Sequence, residues 1–514
     1  MRKRLVGYLI GGLCIIFSSG KGYSASWYVC SDPVGLKNGT SWSNCWGDFN
    51  EIVWGINGVH AGDTIFLDGG TSGITYTKSL TVGASGTSDN SRITIKVGQD
   101  VGHNGKVTFD FAGTVDGWIS ISGKEYITID GENNGGIGIV IQNNLKDPNT
   151  TTRHVVNARE SKYCKIKYIE VYNVKDGINL MYTTRVEISD SYIHGIKNDA
   201  AIVAIGNPDS FNLTWGGQSN IHHNRIEVDM KTGTGCGPDG IQATGWAEIH
   251  HNTFTVGSSN RTDIIGCQHS DIIQTASANE YVKIYSNTWR GCPQYCLYME
   301  PSAFDDPIRH LWIYNNLFDL KGVPGSGGAI LSINNGPIDD FIFSNNTFVD
   351  ANKSGSYNCL YFAAYNKNFN ITNSAVKNNI FHNCGEGSSD RSAWFNMSLA
   401  QVNQLNVDYN VLSPGTNGDS DIIYGTAGSA NIYTQPHQKT GNVSFITYTK
   451  YGGSNNNYTP SLSDKIAKDQ GISMSPYYSE DIIGKSRPLG VAWDIGAYEL
   501  DVKIPLPPKD IYVK

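Results

Sequence analysis

Apolar and polar residues alternate in short runs along most of the chain, which is the pattern of half-buried β-strands. Within residues 281–285, Val282 and Ile284 lie on one face of a strand and Lys283 lies on the other. A period of two that uses β-branched and aromatic residues predicts strands rather than helices. The chain therefore consists of many short strands joined by turns.

A phrase centred on asparagine recurs about every 30 residues. One or two apolar residues precede the asparagine, and a small or apolar residue and then an aromatic or aliphatic one follow it. Asparagine tolerates the left-handed backbone of a tight bend, and its amide can bond the same group one coil above, so an asparagine ladder is expected. Asp190 resembles an earlier member. The other members are Asn224, Asn252, Asn287, Asn316, Asn346, Asn379 and Asn410.

Repeats of this length with several strands and no long helix are typical of a solenoid, whereas a propeller blade needs about 40 or more residues. The sequence therefore predicts an all-β fold, a right-handed parallel β-helix. Because an open solenoid end exposes strand edges, a cap is expected. Phe49, Ile52, Val53 and Ile56 share one helical face, which predicts a capping helix within residues 48–58.

The first residues predict export. A basic segment, residues 2–4, precedes an apolar run at residues 5–17, and together they indicate a signal peptide over residues 1–26. The alternative is a short membrane anchor, although no other segment is apolar enough to span a membrane. We expect a secreted or cell-surface protein with an N-terminal cap and first coils at 27–100, the β-helix at 101–430, C-terminal coils and a cap at 431–500, and an extended tail at 501–514.

An oxidising compartment predicts disulfides. Nine of the ten cysteines follow the signal peptide, so at least one thiol is expected to be free or paired between chains. Cys30 and Cys45 are expected to pair with each other. Because Cys236, Cys267 and Cys292 fall at similar positions in successive coils, one pair among these three is also expected.

Motifs at both ends resemble a large superfamily, the secreted bacterial right-handed parallel β-helix repeat proteins. The opening has Trp27-Tyr28-Val29, Thr40-Ser41-Trp42 and Gly62-Asp63-Thr64. The end has Asp464-Lys-Ile-Ala467, Asp481-Ile-Ile-Gly484, Arg487-Pro488 and Asp494-Ile-Gly-Ala-Tyr-Glu499. The resemblance implies the fold and export. It does not imply one reaction, because the superfamily holds lyases, hydrolases, epimerases and adhesins.

Four consecutive coils open with aspartate, at Asp176, Asp199, Asp239 and Asp271. Adjacent strands lie about 4.8 Å apart, so the carboxylates are expected to form a column at the surface of one winding. Two charges at that distance repel by about 3.5 kcal/mol at an effective dielectric of about 20. Such a column must bind a cation, raise a pKa or splay its side chains. Alternatively, each aspartate caps its own turn.

Candidate site residues cluster around this column. Asp239, Asp271, His269 and Glu300 are the candidate catalytic groups, since a histidine beside carboxylates suits acid–base chemistry. Calcium is the expected ion if a metal binds, with Asp199, Asp239 and Asp271 as ligands, and no organic cofactor is expected. Residues proposed to bind substrate are Tyr298, Arg290, Arg309, Gln242, Gln274 and Trp215.

The net charge of −8 argues against nucleic acid as a partner, because phosphate binding needs a basic surface. The leading hypothesis is a secreted enzyme that cleaves or epimerises an acidic extracellular polysaccharide. Gln268-His269-Ser270-Asp271 loosely resembles a short acid-Pro-His-acid motif of mannuronan epimerases and alginate lyases of this fold. The rival hypothesis is a non-catalytic glycan-binding or adhesive surface protein. The sequence leaves the oligomeric state open.

Overall fold

A computed structural model shows that the chain winds into a parallel β-solenoid, so the predicted all-β parallel β-helix is confirmed. In each coil the chain passes through sheet 1, sheet 2 and sheet 3 in turn before it returns to sheet 1 one level higher. The structure describes residues 24–111, 117–143, 154–206, 217–232, 236–264, 268–275, 279–299, 308–320, 327–333, 337–350, 358–364, 369–384, 391–414, 421–426, 428–450, 452 and 455–501.

Parallel pairing between successive coils builds all three sheets, except that the last strand of sheet 3, Asn431–Ile432, pairs antiparallel with Ile422–Tyr424. The strands of sheet 1 are Ser26–Val29, Thr64–Leu67, Ile93–Val97, Ile127–Asp130, Lys165–Lys167, Glu187–Ser189, Ser219–His222, Ala247–His250, Asn279–Tyr285, Ile308–Tyr314, Ile338–Ser344, Ile371–Thr372, Ala375–Lys377 and Val407–Asp408. The strands of sheet 2 are Ile74–Tyr76, Val107–Asp110, Ile139–Gln142, Ile169–Tyr172, Tyr192–His194, Arg225–Val228, Thr253–Val256, Thr288–Arg290, Leu317–Asp319, Thr347–Val349, Ile380–His382, Val411–Ser413 and Lys439–Thr440.

Sheet 3 carries the coil openings that the sequence singled out. Its strands are Leu80–Thr81, Ile119–Ser120, Val156–Asn157, Ile178–Asn179, Ala200–Ile205, Asp239–Thr244, Asp271–Thr275, Tyr295–Met299, Gly327–Ile333, Leu360–Ala364, Ala393–Asn396, Ile422–Tyr424 and Asn431–Ile432. Short antiparallel pairs add Glu132–Asn133 with Gly136–Ile137, Cys236–Gly237 with Gln268–His269, and Phe445–Thr447 with Asn457–Pro460. The helical turns are Trp42–Asn44, Phe49–Glu51 and Leu399–Gln404.

The asparagine ladder lies inside the turn between sheets 1 and 2. Each ladder amide donates to the side-chain oxygen of the next asparagine along the solenoid and also to a backbone carbonyl; Asn287 Nδ2 donates to Asn316 Oδ1 at 3.1 Å and to the Ile249 carbonyl at 2.8 Å. The ladder runs without a break from Asn224 to Asn410, whose amide donates to Gln435 Oε1 at 2.8 Å. The buried bend therefore has its polar groups paired from coil to coil.

The left-handed backbone is found one residue before each ladder asparagine, not at the asparagine itself. His223, Ser286 and Asn345 are examples, with φ of 55°, 53° and 51°. Asp190 is likewise a residue with positive φ, and Ser191 occupies the ladder position, because its backbone N–H donates to Asn224 Oδ1 at 3.1 Å. The side-chain amide of the ladder residue points into the bend, and the residue before it supplies the left-handed backbone that turns the chain.

The predicted capping helix is wrong. Residues 49–51 form a single 3-10 turn, and Gly55 then adopts a φ of 87°, which ends any helical continuation. Phe49 and Ile52 are buried against the first coils, but Val53 and Ile56 are 47% and 96% exposed. The helical spacing of these apolar residues arose in a non-helical segment.

Disulfides Cys30–Cys45, Cys292–Cys296 and Cys359–Cys384 connect nearby segments. The first confirms the expected pair. The second contradicts a bond from Cys292 to an earlier coil, because Cys296 in the following strand of the same coil lies close enough to react. Cys267 and the side chain of Cys236 lie outside the described residues. Cys164 is a buried free thiol, in line with the odd number of cysteines.

The C-terminal segment turns back and packs against the outside of sheets 1 and 2. The guanidinium of Arg487 donates to Glu499 Oε2 at 2.8 Å and to the carbonyl of Gly496 at 2.8 Å, and both charged side chains are buried. Asn345 lies 149 residues before Asp494 in the chain, and its side chain donates to the carbonyl of Asp494 at 2.9 Å. Within the described ranges, no helix is long and apolar enough to cross a membrane.

Histidines and tyrosines stack along the outer face of sheet 1. His222 and His250 stack with ring centroids 5.0 Å apart, and Tyr285 continues the stack 4.6 Å beyond His250. His251 accompanies His250, with 2.8 Å between their Nδ1 atoms. Burial, and then the neighbouring charge of His222, lower the pKa of His250 to about 3. The imidazole of His250 is therefore neutral in the folded protein at neutral pH, and burial also lowers the pKa of His251.

We expect this stack to make the fold acid-sensitive. The unfolded histidine takes up a proton near pH 6.5, whereas folded His250 resists protonation, so stability is lost as the pH falls below about 6.5. Between pH 7 and pH 5, His250 should account for a loss of about 2 kcal/mol. Urea unfolding of wild type and His250→Tyr at both pH values measures this, because tyrosine occupies the same column one coil on. Equal pH dependence in the two proteins would contradict the assignment.

Candidate functional site

The candidate site lies where the chain enters sheet 3 from the long turn after sheet 2. The inward-facing Ile178, Ile202, Ile241 and Ile273 are in register across four coils. Counting back two residues from each isoleucine places Asp176, Ala200, Asp239 and Asp271 in one row. Asp199 precedes that row by one residue, so the expected register of four aspartates is wrong at this coil.

Three of these carboxyl groups are buried rather than exposed. Asp176, Asp239 and Asp271 have 0%, 1% and 0% of their surface accessible. The cause is the pleat, since Asp239 shares its strand face with the inward-facing Ile241 two residues later. The expectation of a carboxylate column at the surface is therefore wrong for these three, whereas Asp199 is half-buried.

One amide joins two of the aspartates. Gln242 Nε2 donates to Asp199 Oδ1 and to Asp239 Oδ2, each at 3.0 Å. The other Asp239 oxygen accepts the backbone N–H of Asp271 at 2.9 Å. Because both bonded oxygens lie 3.0 Å from the same nitrogen, they are within about 6 Å of each other. We call Asp199 and Asp239, together with the Gln242 amide that bridges them, the amide-bridged pair.

Burial changes the acidity of this cluster. It raises the pKa of Asp239 to about 8, with a further rise from the nearby Asp271 charge and an opposing effect of the Gln242 hydrogen bond. Burial likewise raises the pKa of Asp176, against the hydrogen bond that Asn198 donates to it. Asp239 therefore holds a proton at neutral pH while it remains bonded to Gln242.

His154 belongs to the same row and was missed by sequence reasoning. Val156 pairs with Ile178, which places His154 opposite Asp176. Burial lowers the pKa of His154. Its Nε2 and Asp176 Oδ2 are both buried and lack a hydrogen-bond partner among the described residues. The available signal was the phrase His154-Val-Val-Asn157, which matches the coil opening at Asp176.

An outward-facing row lies beside the amide-bridged pair on sheet 3. Gln242, Gln274 and Tyr298 are consecutive register partners in this row; Ile330 holds the next register position, and Tyr361 and Trp394 follow it along the solenoid. The ring of Tyr298 stacks on Tyr295 with centroids 5.4 Å apart. We call the two glutamines together with Tyr298, Tyr361 and Trp394 the outer row of sheet 3. It presents amides and then aromatic rings to solvent, so the structure does bring Gln242, Gln274 and Tyr298 together.

The other candidate residues are not brought to this face. Arg290 lies in sheet 2. Arg309 lies in sheet 1, where it pairs with Glu280 at 3.2 Å. The backbone of His269 pairs with Cys236 in an antiparallel ribbon, but its side chain lies outside the described residues. Glu300 and Trp215 also lie outside them.

Cations close to the amide-bridged pair already have carboxylate partners. Lys197 lies 3.2 Å from Asp263, and Arg261 pairs with both Asp229 and Asp263. In the part of the chain that the structure describes, no group of three or more histidine, cysteine, aspartate or glutamate side chains is arranged to hold a metal. Calcium at Asp199, Asp239 and Asp271 stays a prediction.

Comparisons with solved structures find other parallel β-helices. The PL6 family alginate lyase AlyGC has a TM-score of 0.47 at 14% identity over 82% of this chain, which spans 57% of that lyase. The complex of XylC with xylose gives 0.47 at 10% identity over 92% of this chain and 98% of the other. Pectate lyase Pel9A gives 0.37 at 13% identity over 93% and 97%.

At these values the likeness is one of general shape, and no residue role follows from it. No family model matches the chain. No curated protein matches it. The sites of this protein therefore have to be argued from its own residues.

Proposed function

We propose that this protein is an extracellular enzyme that cleaves or epimerises an acidic polysaccharide on the outer row of sheet 3, with the amide-bridged pair supplying acid–base chemistry. The observation that carries the proposal is the sharing of Gln242 by two carboxyl groups in unlike environments. A buried carboxyl group beside one that solvent can reach is a usual basis of acid and base roles in one site.

Asp239 suits the role of the acid. Its pKa of about 8 keeps a proton available at neutral pH, which it can give to a leaving or developing oxygen. Asp199, half-buried and one residue out of the row, suits the role of the base because solvent and substrate can reach it. Carboxyl groups this close resemble the spacing of retaining rather than inverting hydrolases, and in hydrolysis Asp199 would therefore act as the nucleophile, whose glycosyl ester water then cleaves. Proton abstraction beside a uronate carboxylate would use the same two roles.

The outer row of sheet 3 suits a saccharide. Gln242 and Gln274 offer amide donors and acceptors to hydroxyl or carboxylate groups, and Tyr298 offers a ring edge and a phenol. A glycan that lies along the solenoid axis would meet successive coils at the strand spacing. The disulfides found among the described residues support export, because such bonds persist in oxidising compartments.

The rival function is glycan binding or adhesion without turnover, and one observation favours it. Asp239 and Asp271 are almost inaccessible, and Asp239 is occupied by hydrogen bonds within the fold. A binding protein could use the outer row of sheet 3 while these carboxyl groups only stabilise the coil opening. The two functions differ in whether the carboxyl groups matter for product formation.

The test uses a panel of uronate-containing and neutral polysaccharides with wild type, Asp199→Asn and Asp239→Asn. We expect each variant to lose about 100-fold in turnover, because an amide keeps the shape but cannot transfer the proton. Asp89→Asn, whose side chain is 80% exposed on another surface, is the matched control and should retain activity. Unsaturated ends indicate a lyase, new reducing ends alone a hydrolase, and C5 inversion without cleavage an epimerase.

The pH profile gives a second readout. Since Asp239 must carry its proton, wild-type turnover should fall as the pH rises through about 8, and this decline should be absent from the residual activity of Asp239→Asn. Full activity in both Asn variants would refute the assignment. Glycan binding without any product in wild type would establish the rival.

A further inference from the structure

A cavity of about 440 Å³ opens where the C-terminal segment crosses the outer face of sheet 1. It lies on coils later than the amide-bridged pair and on a different sheet. Asn378 anchors the crossing, because its side chain accepts the backbone N–H of Ile472 at 3.0 Å and donates to the Ile472 carbonyl at 2.7 Å. The cavity therefore has fixed walls, and its volume is that of a small-molecule site.

Lys377 is the cationic group of this cavity. Its register partner in the next coil is Asp408, but the two Asp408 oxygens accept from the backbone N–H and Nδ1 of His437 at 2.7 and 2.8 Å. Among the described residues, no carboxylate lies within salt-bridge distance of the Lys377 ammonium. Partial burial lowers the pKa of Lys377, while the Asp408 charge opposes this. An anion in the cavity would offset that cost.

The remaining lining matches a polyhydroxylated ligand. Gln404 and Asn406 are exposed at the rim, and Ser473 faces them from the C-terminal segment. Met474 and Tyr477 supply an apolar wall, where Met474 packs on Ala375 and Tyr477 meets Trp312 edge-on at 5.2 Å. In such a cavity the amides can bind hydroxyl groups, the single cation can bind a carboxylate, and the aromatic ring can pack against the apolar face of the same ligand.

A second cavity on the other side of Tyr477 provides a contrast. It has a volume of about 250 Å³, and its lining includes Glu480 and Asp481 but no lysine or arginine. An anion would be repelled there. The two cavities share Tyr477 as a wall, so the charge of the lining distinguishes them.

We propose that the cavity at Lys377 is a second saccharide site that binds one uronate unit, with the ammonium of Lys377 on the carboxylate and the Gln404 and Asn406 amides on the hydroxyl groups. This site does not depend on the catalytic proposal, because no residue of the amide-bridged pair lines it. This cavity would hold one part of an acidic glycan on sheet 1 while sheet 3 binds or processes another part of the same glycan.

The test uses the full chain with three trisaccharides: tri-galacturonate, tri-mannuronate and neutral cellotriose. Hydrogen–deuterium exchange locates binding, and we expect protection of peptides covering residues 399–406 and 472–478 with at least one uronate but not with cellotriose. Calorimetry should show the dissociation constant for this site raised at least 10-fold in Lys377→Met and partly restored in Lys377→Arg. Lys439→Met, a half-buried lysine in sheet 2, is the matched control and should bind as wild type does.

Each outcome decides the proposal independently of catalysis. Protection confined to sheet 3, unchanged affinity in Lys377→Met, or equal binding of cellotriose would each overturn it. Loss of turnover in Asp239→Asn with the 472–478 protection intact would leave both proposals standing. Melting temperatures of the variants should match wild type, because Lys377 makes no ion pair with the described residues that its replacement would break.

Discussion

Replacement of Arg487 by methionine is expected to destabilise the C-terminal segment by about 3–5 kcal/mol. The guanidinium is buried and donates to Glu499, to the carbonyls of Asp494 and Gly496, and to Asn315 on the solenoid. Its removal leaves the buried Glu499 beside Asp494 without a counter-ion. Burial already raises the pKa of Glu499 to about 7, so the carboxyl group should become protonated in the variant at neutral pH.

Denaturant unfolding together with hydrogen exchange measures the loss, which should appear first in peptides from residues 457–500. Arg309→Met is the matched control, because its ion pair with Glu280 is exposed and should be worth under about 1 kcal/mol. The double variant Arg487→Met/Glu499→Gln should recover part of the loss, since it removes the buried ionisable group and keeps an amide oxygen that can accept a backbone N–H in place of the carboxylate. An effect of Arg487→Met no larger than that of Arg309→Met would show that the segment does not depend on this pair.

The solenoid could be predicted because the residues that form each bend repeat along the sequence. The ladder asparagines recur once per coil, and one buried amide per coil is what holds each bend. Cys30–Cys45 was also within reach of the sequence, because the two residues are close along the chain. The capping helix failed for a related reason: four apolar residues can take a helical spacing by chance, and Gly55 shows that the backbone does otherwise.

The candidate site was predictable only in part. Asp239, Asp271 and Gln242 were found because their coil openings are near copies of each other. The predicted register of Asp199 is wrong by one residue, because the coil openings match by sequence at their aspartates whereas the strands are in register at the inward-facing Ile202. Counting from that apolar position would have corrected it, and would also have included His154 through Val156.

Features that depend on distant contacts could not be predicted. Whether an aspartate at a coil opening is buried depends on the turn that precedes it and on the neighbouring coils, not on its own phrase. The cavity at Lys377 forms only because residues 472–477 pack against a strand that precedes them by almost 100 residues, as the hydrogen bond between Asn378 and Ile472 shows. Local periodicity carries no information about such docking.

Asn316→Ala is expected to destabilise the solenoid by about 4 kcal/mol. Asn316 Oδ1 accepts both the backbone N–H and the amide of Asn287, and its own amide donates to the Ile284 carbonyl and to Asn346. All of these groups belong to the buried bend, and no water reaches them when the side chain is shortened. Each unpaired buried donor or acceptor costs about 1–3 kcal/mol.

Asn431→Ala is the matched control, because that exposed asparagine donates to the carbonyl of Ser429 at 3.1 Å and its loss should cost under about 1 kcal/mol. Asn316→Asp tests the mechanism separately. It keeps the acceptor for Asn287 but places a buried carboxylate oxygen where the amide donated to the Ile284 carbonyl and to Asn346, so at neutral pH it should cost at least as much as Asn316→Ala. Hydrogen exchange should rise in the coils on both sides of the substitution, because every ladder amide bonds its neighbour. A loss confined to one coil would mean that the bends are held independently and that the ladder does not couple them.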